Sequence, residues 1–528
     1  MRMPTQHEEE IQALRAALET AHQHNASLLS ENRLLKAERD LFKERLAAYV
    51  RKLFAAKSEA RSTDQKDLFF NEAEALAPAG TPVGDEQADV EDGVEIAAHK
   101  RAKRGRKPID PNLPREIVRV ELPENERVCP HDGAALVEIG TQASEQYHVI
   151  PQQVHVLRTE RVKYACPCCD QGLRLAPAPA RIVPKGILSE ATMAWVITAK
   201  YQDALPLYRQ AALLARFGGE LSRNTLAANV VAYGLAIQPL INLLRDELFE
   251  RDVILGDETE VQVLKEPGRA AQRKSYMWAQ ASGNGPPIRL FAYAPTRSTA
   301  FALQLYAGIR PGTVLMSDGY DAYESVAHDY ELEHLGCWTH ARRGFIKALD
   351  ALPKAARTEE QPAAKFISAI KKLYAIEERA RGLEPGQRLA MRQHDSLPVV
   401  EHIEELLLAH LHAVAPQSEL GKALHYLSGQ WPKLIRCFAR GDVPIDNNDS
   451  ENAIRPFVVG RKNWLFSDTV DGAKASANLY SLIETAKANG VEPYYYLRYV
   501  FARLPLAKTA DDYATLLPWR VVITDPDK

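Results

Sequence analysis

The sequence predicts a multidomain protein with an N-terminal coiled coil, a small cysteine-containing β module, a helical domain, and an α/β core that carries an all-α insertion. Three observations support this prediction. A heptad pattern occupies the N-terminal region, cysteines crowd at positions 166, 168 and 169, and two short apolar runs each end in an aspartate. At 528 residues the chain is too long for one hydrophobic core, so three or four modules are expected.

Composition and charge restrict the class of protein. The hydrophobic content of 46% is ample for globular domains, and there is no run of 18 apolar residues and no signal-peptide pattern. We therefore expect a soluble protein that is not exported. The net charge of −3 does not indicate a nucleic-acid binder, but the charge is segregated, with acidic residues in 64–95 and a strongly basic run in 100–107.

Residues 8–60 carry a heptad pattern typical of a coiled coil. With position a at residue 11 and position d at residue 14, ten of the thirteen a and d residues are apolar. The exceptions, Asn25, Asn32 and Arg39, all lie at a, where polar layers fix register and oligomer number. The pattern predicts a homo-oligomer; the alternative is an amphipathic helix that packs on its own chain.

Residues 61–115 combine a linker and a basic segment. Residues 61–98 are rich in Ala, Asp, Glu, Gly and Pro, which predicts a disordered acidic linker. The basic segment then includes Arg104, Arg106 and Lys107, and its Arg-Gly-Arg-Lys-Pro core resembles an AT-hook, whose arginines enter a narrow minor groove. We expect these side chains to contact DNA phosphates, although a charge run of this kind is often only solvated.

Residues 116–180 are predicted to form a small zinc-binding and DNA-binding β module. Cys166 and Cys169 form a C-x-x-C pair 37 residues after Cys129, and such a pair places two thiolates on one turn, as tetrahedral Zn²⁺ requires. Cysteines crowded in this way favour metal over disulfides. Cys168 is a spare candidate ligand, and the alternative is a reduced cysteine cluster without metal.

Residues 186–248 are helical by pattern. A helix near Leu207, a turn at Gly218-Gly219 and a second helix capped by Ser222 predict helix-turn-helix geometry. This helical domain is expected to bind DNA, with two packed helices that make no DNA contact as the alternative.

Three acidic residues carry the strongest chemical signal. Asp257 and Asp318 each end an apolar run, and Glu451 lies in a polar stretch, 446–456. Apolar runs of this length predict buried strands, and an unpaired buried carboxylate is costly, so acids at strand ends need a functional reason. Two strand-end aspartates and a helical glutamate could hold two Mg²⁺ ions about 3.5–4 Å apart.

The plainer interpretation treats each acid separately. An aspartate at a strand end is often a cap or turn former, and Glu451 could form an i,i+4 surface pair with Arg455. In the stretch around Glu451, Asp446 is a candidate N-cap, and Pro456 is expected to end a short helix.

Long ordered motifs carry a family resemblance over nearly the whole chain, from the N-terminal helix to residues 516–519. The motifs are Gly256-Asp257-Glu258-Thr259, Ser317-Asp318-Gly319-Tyr320-Asp321-Ala322-Tyr323, Gly336-Cys337-Trp338-Thr339-His340-Ala341-Arg342-Arg343, the stretch 446–456, and Gly460-Arg461-Lys462-Asn463-Trp464-Leu465-Phe466. In these motifs the chain resembles the DDE transposases of the insertion-sequence 66 family.

The resemblance implies that Asp257, Asp318 and Glu451 are the catalytic and metal-binding carboxylates of an RNase H-like domain, residues 250–507. Asp257 and Asp318 would hold both Mg²⁺ (or Mn²⁺) ions, and Glu451 would complete one coordination sphere. Strands are expected near 253–264, 275–282, 288–294, 313–317 and 332–338. The helical insertion is expected at about 347–440, with helices over 366–381 and 399–412, and a further helix at 474–488. Residues 508–528 are expected to be a tail.

The resemblance also implies Mg-dependent cleavage and strand transfer at the terminal repeats of an insertion sequence, with double-stranded DNA and small companion proteins as partners. The family's usual fourth zinc ligand would fall at position 132, where this chain has Asp132 beside His131. The predicted zinc ligands are thus Cys129, Asp132, Cys166 and Cys169, with the fourth ligand open. Predicted phosphate contacts near the site are Arg342, Arg343, Arg455, Arg461 and Lys462.

Two alternative functions and the role of Trp464 stay open at this point. The chain could be a nuclease or resolvase that cuts without joining, or a non-catalytic DNA-binding regulator derived from a transposase. Trp464 could stack on an unpaired base or belong to the core. Cys337 and His340 have half of a zinc site's spacing and are interpreted as an element that supports the core.

Overall fold

The computed structural model describes residues 153–165 and 173–523, together with scattered positions between 18 and 134. The predicted coiled coil (8–60), the linker and basic segment (61–115) and the cysteines of the predicted zinc module lie almost entirely outside the described residues, and they remain predictions. Two short strands flank the Cys166–Cys169 stretch in sequence: β1 (Lys163–Ala165) pairs antiparallel with β2 (Leu173–Leu175).

Four helices lie between residues 190 and 249, just before the central sheet, as the pattern over 186–248 predicts. They are α1 (Glu190–Tyr201), α2 (Leu207–Arg216), α3 (Arg223–Ala236) and α4 (Gln238–Phe249). The predicted glycine turn and cap are confirmed: Gly218 has a φ of 85°, and the Ser222 hydroxyl accepts a hydrogen bond from the Thr225 N–H at 3.0 Å.

A mixed sheet lies at the centre of the described chain. Its strands are β3 (Val253–Lys265), β4 (Lys274–Ser282), β5 (Arg289–Ala294), β6 (Val314–Met316) and β7 (Glu333–Leu335), in the order β5-β4-β3-β6-β7. β3 and β5 each run antiparallel to β4, whereas β3, β6 and β7 are parallel. β3, β5, β6 and β7 therefore run in the same direction. The prediction that Asp257 ends its strand is wrong, because β3 continues past it to Lys265 in the ladder with β4. Only the part of β3 that pairs with β6 ends before Asp257, and we call the side of the sheet where β6 and β7 end the acid edge.

The sheet separates two hydrophobic cores because side chains alternate along β3. Ile254 belongs to one core, with the helices before the sheet, whereas Val253 and Leu255 belong to the other. The predicted strands are confirmed with small differences at their ends. The largest difference is the last strand, predicted to reach residue 338, which ends at Leu335 because Cys337 is the N-cap of the next helix.

Helices α5 (Thr299–Tyr306) and α6 (Asp321–Asp329) follow β5 and β6. Between β7 and residue 447 every regular element is helical. These helices are α7 (Trp338–Ala351), α8 (Pro362–Arg379), α9 (Pro385–Met391), α10 (Leu397–Leu411) and α11 (Glu419–Leu434), with short helical turns between them. The helices predicted over 366–381 and 399–412 are confirmed by α8 and α10.

Helix α12 (Asn448–Trp464) corrects two predictions made around Glu451. The N-cap is Asn447 rather than Asp446. The Asp446 carboxylate accepts hydrogen bonds from the Asn448 N–H at 3.2 Å and from the Asn448 side chain at 2.7 Å. Pro456 does not end the helix, which continues to Trp464. Ile454 and Phe457 are buried on either side of the proline, and this packing offsets the backbone hydrogen bond that a proline removes.

Helix α13 (Val470–Ala488) covers the outer edge of the sheet. The Ser481 hydroxyl accepts a hydrogen bond from the Phe291 N–H at 2.8 Å, and the Thr485 hydroxyl accepts one from the Arg289 N–H at 3.0 Å. These hydroxyls satisfy backbone groups that an edge strand would otherwise expose. The remaining elements are β8 (Ser467–Thr469), which pairs with β3, α14 (Pro493–Arg503) and α15 (Ala510–Ala514).

Within the described ranges, no single helix has the length and apolarity to span a membrane. One pair bent by 44°, α3 with α4, meets that composition only when the two helices are taken together.

Two helical glycines provide a test of the packing between α3 and α13. A Cβ on Gly234 would lie 2.6 Å from the Ala475 Cβ, whereas a Cβ on Gly429 in α11 meets nothing within 4 Å. We expect Gly234→Ala to lower the free energy of unfolding by about 1–3 kcal/mol through overpacking. We expect Gly429→Ala to raise it by about 0.5–1 kcal/mol, because alanine is the better helix former. Denaturant unfolding measures both, and equal effects at the two positions would contradict the helix contact.

Candidate active site

Asp257 and Asp318 lie level with each other at the acid edge. Leu255 pairs with Met316 in the parallel register of β3 and β6, and each aspartate stands two residues beyond its paired residue. The parallel register thus brings together two acids that are 61 residues apart in sequence.

Glu451 joins these aspartates through the first turn of α12. The Asn447 side chain donates a hydrogen bond to the Gly256 carbonyl at 2.8 Å, and the Asn447 N–H donates to the Cys337 sulfur at 3.2 Å. Asn447 is fully buried, so these bonds fix the start of the helix against β3. Glu451 is only 2% exposed, which excludes the surface pair considered for it above.

The pKa of Asp257 reports the crowding of acids. It is raised well above its usual range, first by burial, and then by the negative charges of Glu258, Glu451 and Asp318. The Glu258 N–H donates to the Asp257 carboxylate at 2.8 Å and partly opposes that rise. The three predicted carboxylates are therefore close enough to interact electrostatically.

Glu258 lies on the opposite face of β3 from Asp257. Its carboxylate accepts a hydrogen bond from the Tyr323 hydroxyl at 2.7 Å and forms an ion pair with Arg297. Burial raises the pKa of Glu258, and the Asp318 charge adds to that effect. Glu258 thus supports the site from the core that contains Ile254, and the Arg297 guanidinium neutralises its charge.

Cationic side chains partly neutralise the acid edge. Arg343 forms an ion pair with Glu451, and Arg297 Nη2 lies 3.7 Å from the Asp318 carboxylate. His340 Nδ1 lies 3.5 Å from Glu451 Oε1, and burial lowers the pKa of this histidine. Within the described part of the chain, Glu451 Oε1 has no hydrogen-bond partner. One oxygen of Glu451 is thus held and the other is open to a ligand.

The oxygen-rich donor set suits a hard divalent cation. Crowded carboxylates that raise each other's affinity for protons offer the negative charge such an ion neutralises. Cys337, His340 and Glu451 also have potential ligand atoms within 4.8 Å of one another. The sequence spacing of Cys337 and His340 resembles half of a zinc site, and in the fold Glu451 lies close to both residues.

The predicted phosphate contacts have different surroundings. Arg343 is engaged with Glu451, while Arg342 beside it on α7 and Arg455 on α12 are half-buried. Burial lowers the pKa of Arg461, which lies near Glu260, and Lys462 is exposed. The predicted DNA contacts Arg104, Arg106 and Lys107 lie outside the described residues, as do the predicted zinc ligands Cys129, Asp132, Cys166 and Cys169.

Trp464 has the surroundings of a core residue. Lys200 Nζ lies 3.7 Å from the centre of its ring, and Tyr201 contacts it edge-on. Burial lowers the pKa of Lys200 to about 7.

Arg297 and Asn447 are site residues that the sequence interpretation missed. Arg297 follows β5 by three residues, and β5 ends at the acid edge, so the predicted strand at 288–294 contained a usable signal. Asn447 lies inside the quoted motif, but its bond to Gly256 depends on a contact across 191 residues of sequence. No local pattern reveals such a contact.

Models of one protein family match most of the chain. The Transposase IS66 family matches residues 185–475, and the IS66 C-terminal element matches 481–519. The zinc-finger binding domain of transposase IS66 matches 126–170, and the Transposase C of IS166 homeodomain matches 41–118.

Individual relatives agree with these matches over nearly the full length. The uncharacterized protein y4jD of Sinorhizobium fredii (strain NBRC 101917 / NGR234) is 31% identical over 89% of this chain and 93% of its own. Protein y4qI of the same strain is 31% identical over 80% of this chain and 78% of its own. The crystal structure of a pre-cleavage Mos1 transpososome aligns with 48% of this chain and 79% of that chain at 12% identity, with a TM-score of 0.12 that is too low to establish a shared fold.

The raised pKa of Asp257 predicts a pH-dependent penalty when metal is chelated. A carboxyl group whose pKa is higher in the folded than in the unfolded chain stabilises the fold below its unfolded pKa, and that stability is lost as pH rises through the folded pKa. In EDTA, the free energy of unfolding of the wild type should therefore decline as pH rises above about 4, and that of Asp257→Asn should decline less. At pH 7 the free energy of unfolding of Asp257→Asn should be higher than that of wild type by on the order of 1 kcal/mol.

Asp252→Asn is the matched control for this measurement, because the Asp252 side chain is 62% exposed. Unfolding in denaturant across pH 4–8 gives the comparison. An Asp257→Asn protein less stable than wild type at pH 7 would contradict the crowding of acids.

Proposed function

Because the chain belongs to the IS66 transposase family, we propose that it is a DDE transposase that binds the terminal repeats of its element and catalyses metal-dependent DNA cleavage and strand transfer. One observation carries this proposal: Asp257, Asp318 and Glu451 converge at one sheet edge, although a stretch of more than 100 residues separates the last two. An acid cluster of this kind stabilises no fold, and phosphodiester chemistry explains it.

The strand order supports an RNase H-like catalytic domain. Three antiparallel strands, β5-β4-β3, are followed by the parallel strands β6 and β7. One acid, Asp257, lies within the central strand β3, and Asp318 follows its parallel neighbour β6. The helices between β7 and α12 then form the proposed insertion that separates the second acid from the third.

Asp257 and Asp318 would hold two divalent cations, and Glu451 would complete one coordination sphere. When bound, such ions activate the attacking hydroxyl and stabilise charge on the leaving oxygen. The choice of Mg²⁺ or Mn²⁺ follows from the carboxylate oxygens. The chain itself supplies position: Asn447 fixes Glu451 against β3, and Arg297 restrains Asp318.

The arginines of the site supply contacts to DNA. Arg343 neutralises Glu451 in this structure, and its guanidinium would be available to a DNA phosphate when Glu451 serves as a metal ligand. Arg342, Arg455, Arg461 and Lys462 extend the same positive surface along α7 and α12. Phosphate contacts of this kind position DNA without reading its sequence.

Other modules would bind and pair the element ends. The basic segment with Arg104, Arg106 and Lys107, and the α2–α3 pair, are proposed to contact DNA. The N-terminal heptads are proposed to form a homo-oligomer that holds two ends together, with small companion proteins of the same element as further partners. This activity would take place in the cytoplasm, on nucleoid DNA.

The match to the family's zinc-finger domain supports a structural Zn²⁺ site in residues 126–170. Its proposed ligands are Cys129, Cys166, Cys169 and either Asp132 or His131. Three thiolates with one oxygen or nitrogen donor suit Zn²⁺ in a closed tetrahedral site.

A second candidate function is a non-catalytic DNA-binding regulator derived from a transposase. It would use the zinc module and the oligomer without the acid edge. The buried, unpartnered Glu451 Oε1 favours catalysis, because a regulator has no use for an open carboxylate oxygen in its core.

The first test removes each carboxylate charge without changing its shape. Asp257→Asn, Asp318→Asn and Glu451→Gln should each lower cleavage and strand transfer on the element's own ends by at least about 10³-fold, because each removes a metal ligand. DNA affinity should stay near that of wild type. Gel assays with labelled ends and Mg²⁺ measure both, with any companion proteins supplied.

Glu260→Gln is the matched control, since Glu260 lies on the same strand but is exposed and paired with Lys274. Wild-type binding without cleavage would support the regulator, and cleavage that survives one of the three substitutions would show that the site is misassigned.

The second test counts zinc. Purified protein should contain about one zinc per chain from this module. Cys166→Ser and Cys169→Ser should each lose that zinc, as measured by elemental analysis, while Cys168→Ser should retain it. Loss of zinc from the Cys168→Ser protein alone would reassign the ligand set.

A further inference from the structure

Helix α11 approaches the acid edge from the all-helical region. A Cβ placed on Gly319, the residue after Asp318, would lie 2.9 Å from Gln430 Nε2 and 3.1 Å from Tyr426 Cε2. These contacts bring two polar side chains of α11 against the turn that presents Asp318. The all-helical region thus does more than separate Asp318 from Glu451 in sequence.

The Tyr426 hydroxyl is buried, and it has no hydrogen-bond partner among the residues that the structure describes. A buried donor without a partner destabilises a protein by about 1–3 kcal/mol, so native structures rarely retain one without a reason. Glu451 Oε1 in the same site also has no hydrogen-bond partner among the described residues, whereas its Oε2 is paired with Arg343. The unpartnered phenol therefore indicates a partner that arrives with the substrate.

Electrostatics place this hydroxyl in the field of the site. Burial raises the pKa of Tyr426, and the negative charges of Asp318 and Glu451 raise it further, while the Arg343 guanidinium opposes them. The phenol is therefore protonated at neutral pH, where it can serve as a neutral donor. A neutral donor beside carboxylates suits an anionic oxygen that cations also hold, which is the chemistry of a phosphodiester.

We propose that the Tyr426 hydroxyl donates a hydrogen bond to a non-bridging oxygen of the scissile phosphodiester, so that α11 contributes directly to the catalytic site. This inference rests on the proposed function, because it assigns a residue to the same reaction. Gly319 then has a defined role: the absence of a side chain lets α11 approach the Asp318 turn.

The test compares Tyr426→Phe with Tyr330→Phe in the full-length chain. The Tyr330 hydroxyl donates to the Leu303 carbonyl at 2.8 Å, so its removal breaks a bond that the folded chain makes. We expect Tyr426→Phe to slow single-turnover cleavage of an element-end duplex by about 10- to 100-fold, the loss of one hydrogen bond to a charged group. Its melting temperature should equal or exceed that of wild type, while Tyr330→Phe should melt lower and cleave at the wild-type rate.

A sulfur-substituted duplex provides a readout that a structural role would not change. The two phosphorothioate diastereomers at the scissile position are cleaved in Mn²⁺ by wild type and by Tyr426→Phe. Wild type should cleave the two diastereomers at different rates. In Tyr426→Phe the ratio of these two cleavage rates should be closer to one, because the hydroxyl that contacts one non-bridging oxygen is missing.

Three outcomes decide against the inference. A wild-type rate and ratio in Tyr426→Phe would overturn it and leave the proposed function intact. A drop in melting temperature with an unchanged ratio would assign the hydroxyl to the fold. A wild-type protein that binds the duplex but never cuts it would overturn the proposed function, and this inference with it.

Discussion

The concentration of carboxylates at one edge of the sheet is the electrostatic constraint on which the rest of this structure depends. Burial and mutual repulsion raise the pKa of both Asp257 and Glu258. Two arginines partly neutralise these acids. Arg297 pairs with Glu258 and Asp318, and Arg343 pairs with Glu451. Partly buried ion pairs seldom stabilise a fold once desolvation is counted. The arrangement is therefore better explained by the chemistry of the site than by stability.

Holding such a cluster requires attachments made far from the acids themselves. The Asn447 side chain bonds the start of α12 to the Gly256 carbonyl, and Arg343 holds Glu451 by an ion pair. On the other side of the sheet, Ser481 and Thr485 of α13 bond to the backbone of the edge strand β5. These buried polar bonds specify position as well as contributing energy, because each has one geometric solution. The sheet is thus restrained from both sides while its acid edge stays open to a ligand.

The sequence predicted the parts of the fold that local patterns determine. Apolar runs revealed the central strands, and the glycine turn with Ser222 revealed the α2–α3 connection, because period and capping act over a few residues. Prediction failed where tertiary packing overrides a local rule, as with Pro456, which lies inside a 17-residue helix flanked by buried Ile454 and Phe457. Arg343 was expected to bind phosphate, and its partner Glu451 lies 108 residues away, beyond the reach of any pattern.

The alternation of side chains along β3 explains how neighbouring acids come to have different surroundings. Val253 and Leu255 belong to the core built from the later helices, and Asp257, on the same face of β3, lies in the field of Glu451. Gly256 and Glu258 face the opposite way, toward Tyr323. A shift of the strand by one residue would exchange the two acids and bury Glu258 against Glu451 without its tyrosine and arginine partners. The parallel register with β6 prevents that shift, so the same backbone hydrogen bonds that build the sheet also select which acid enters the site.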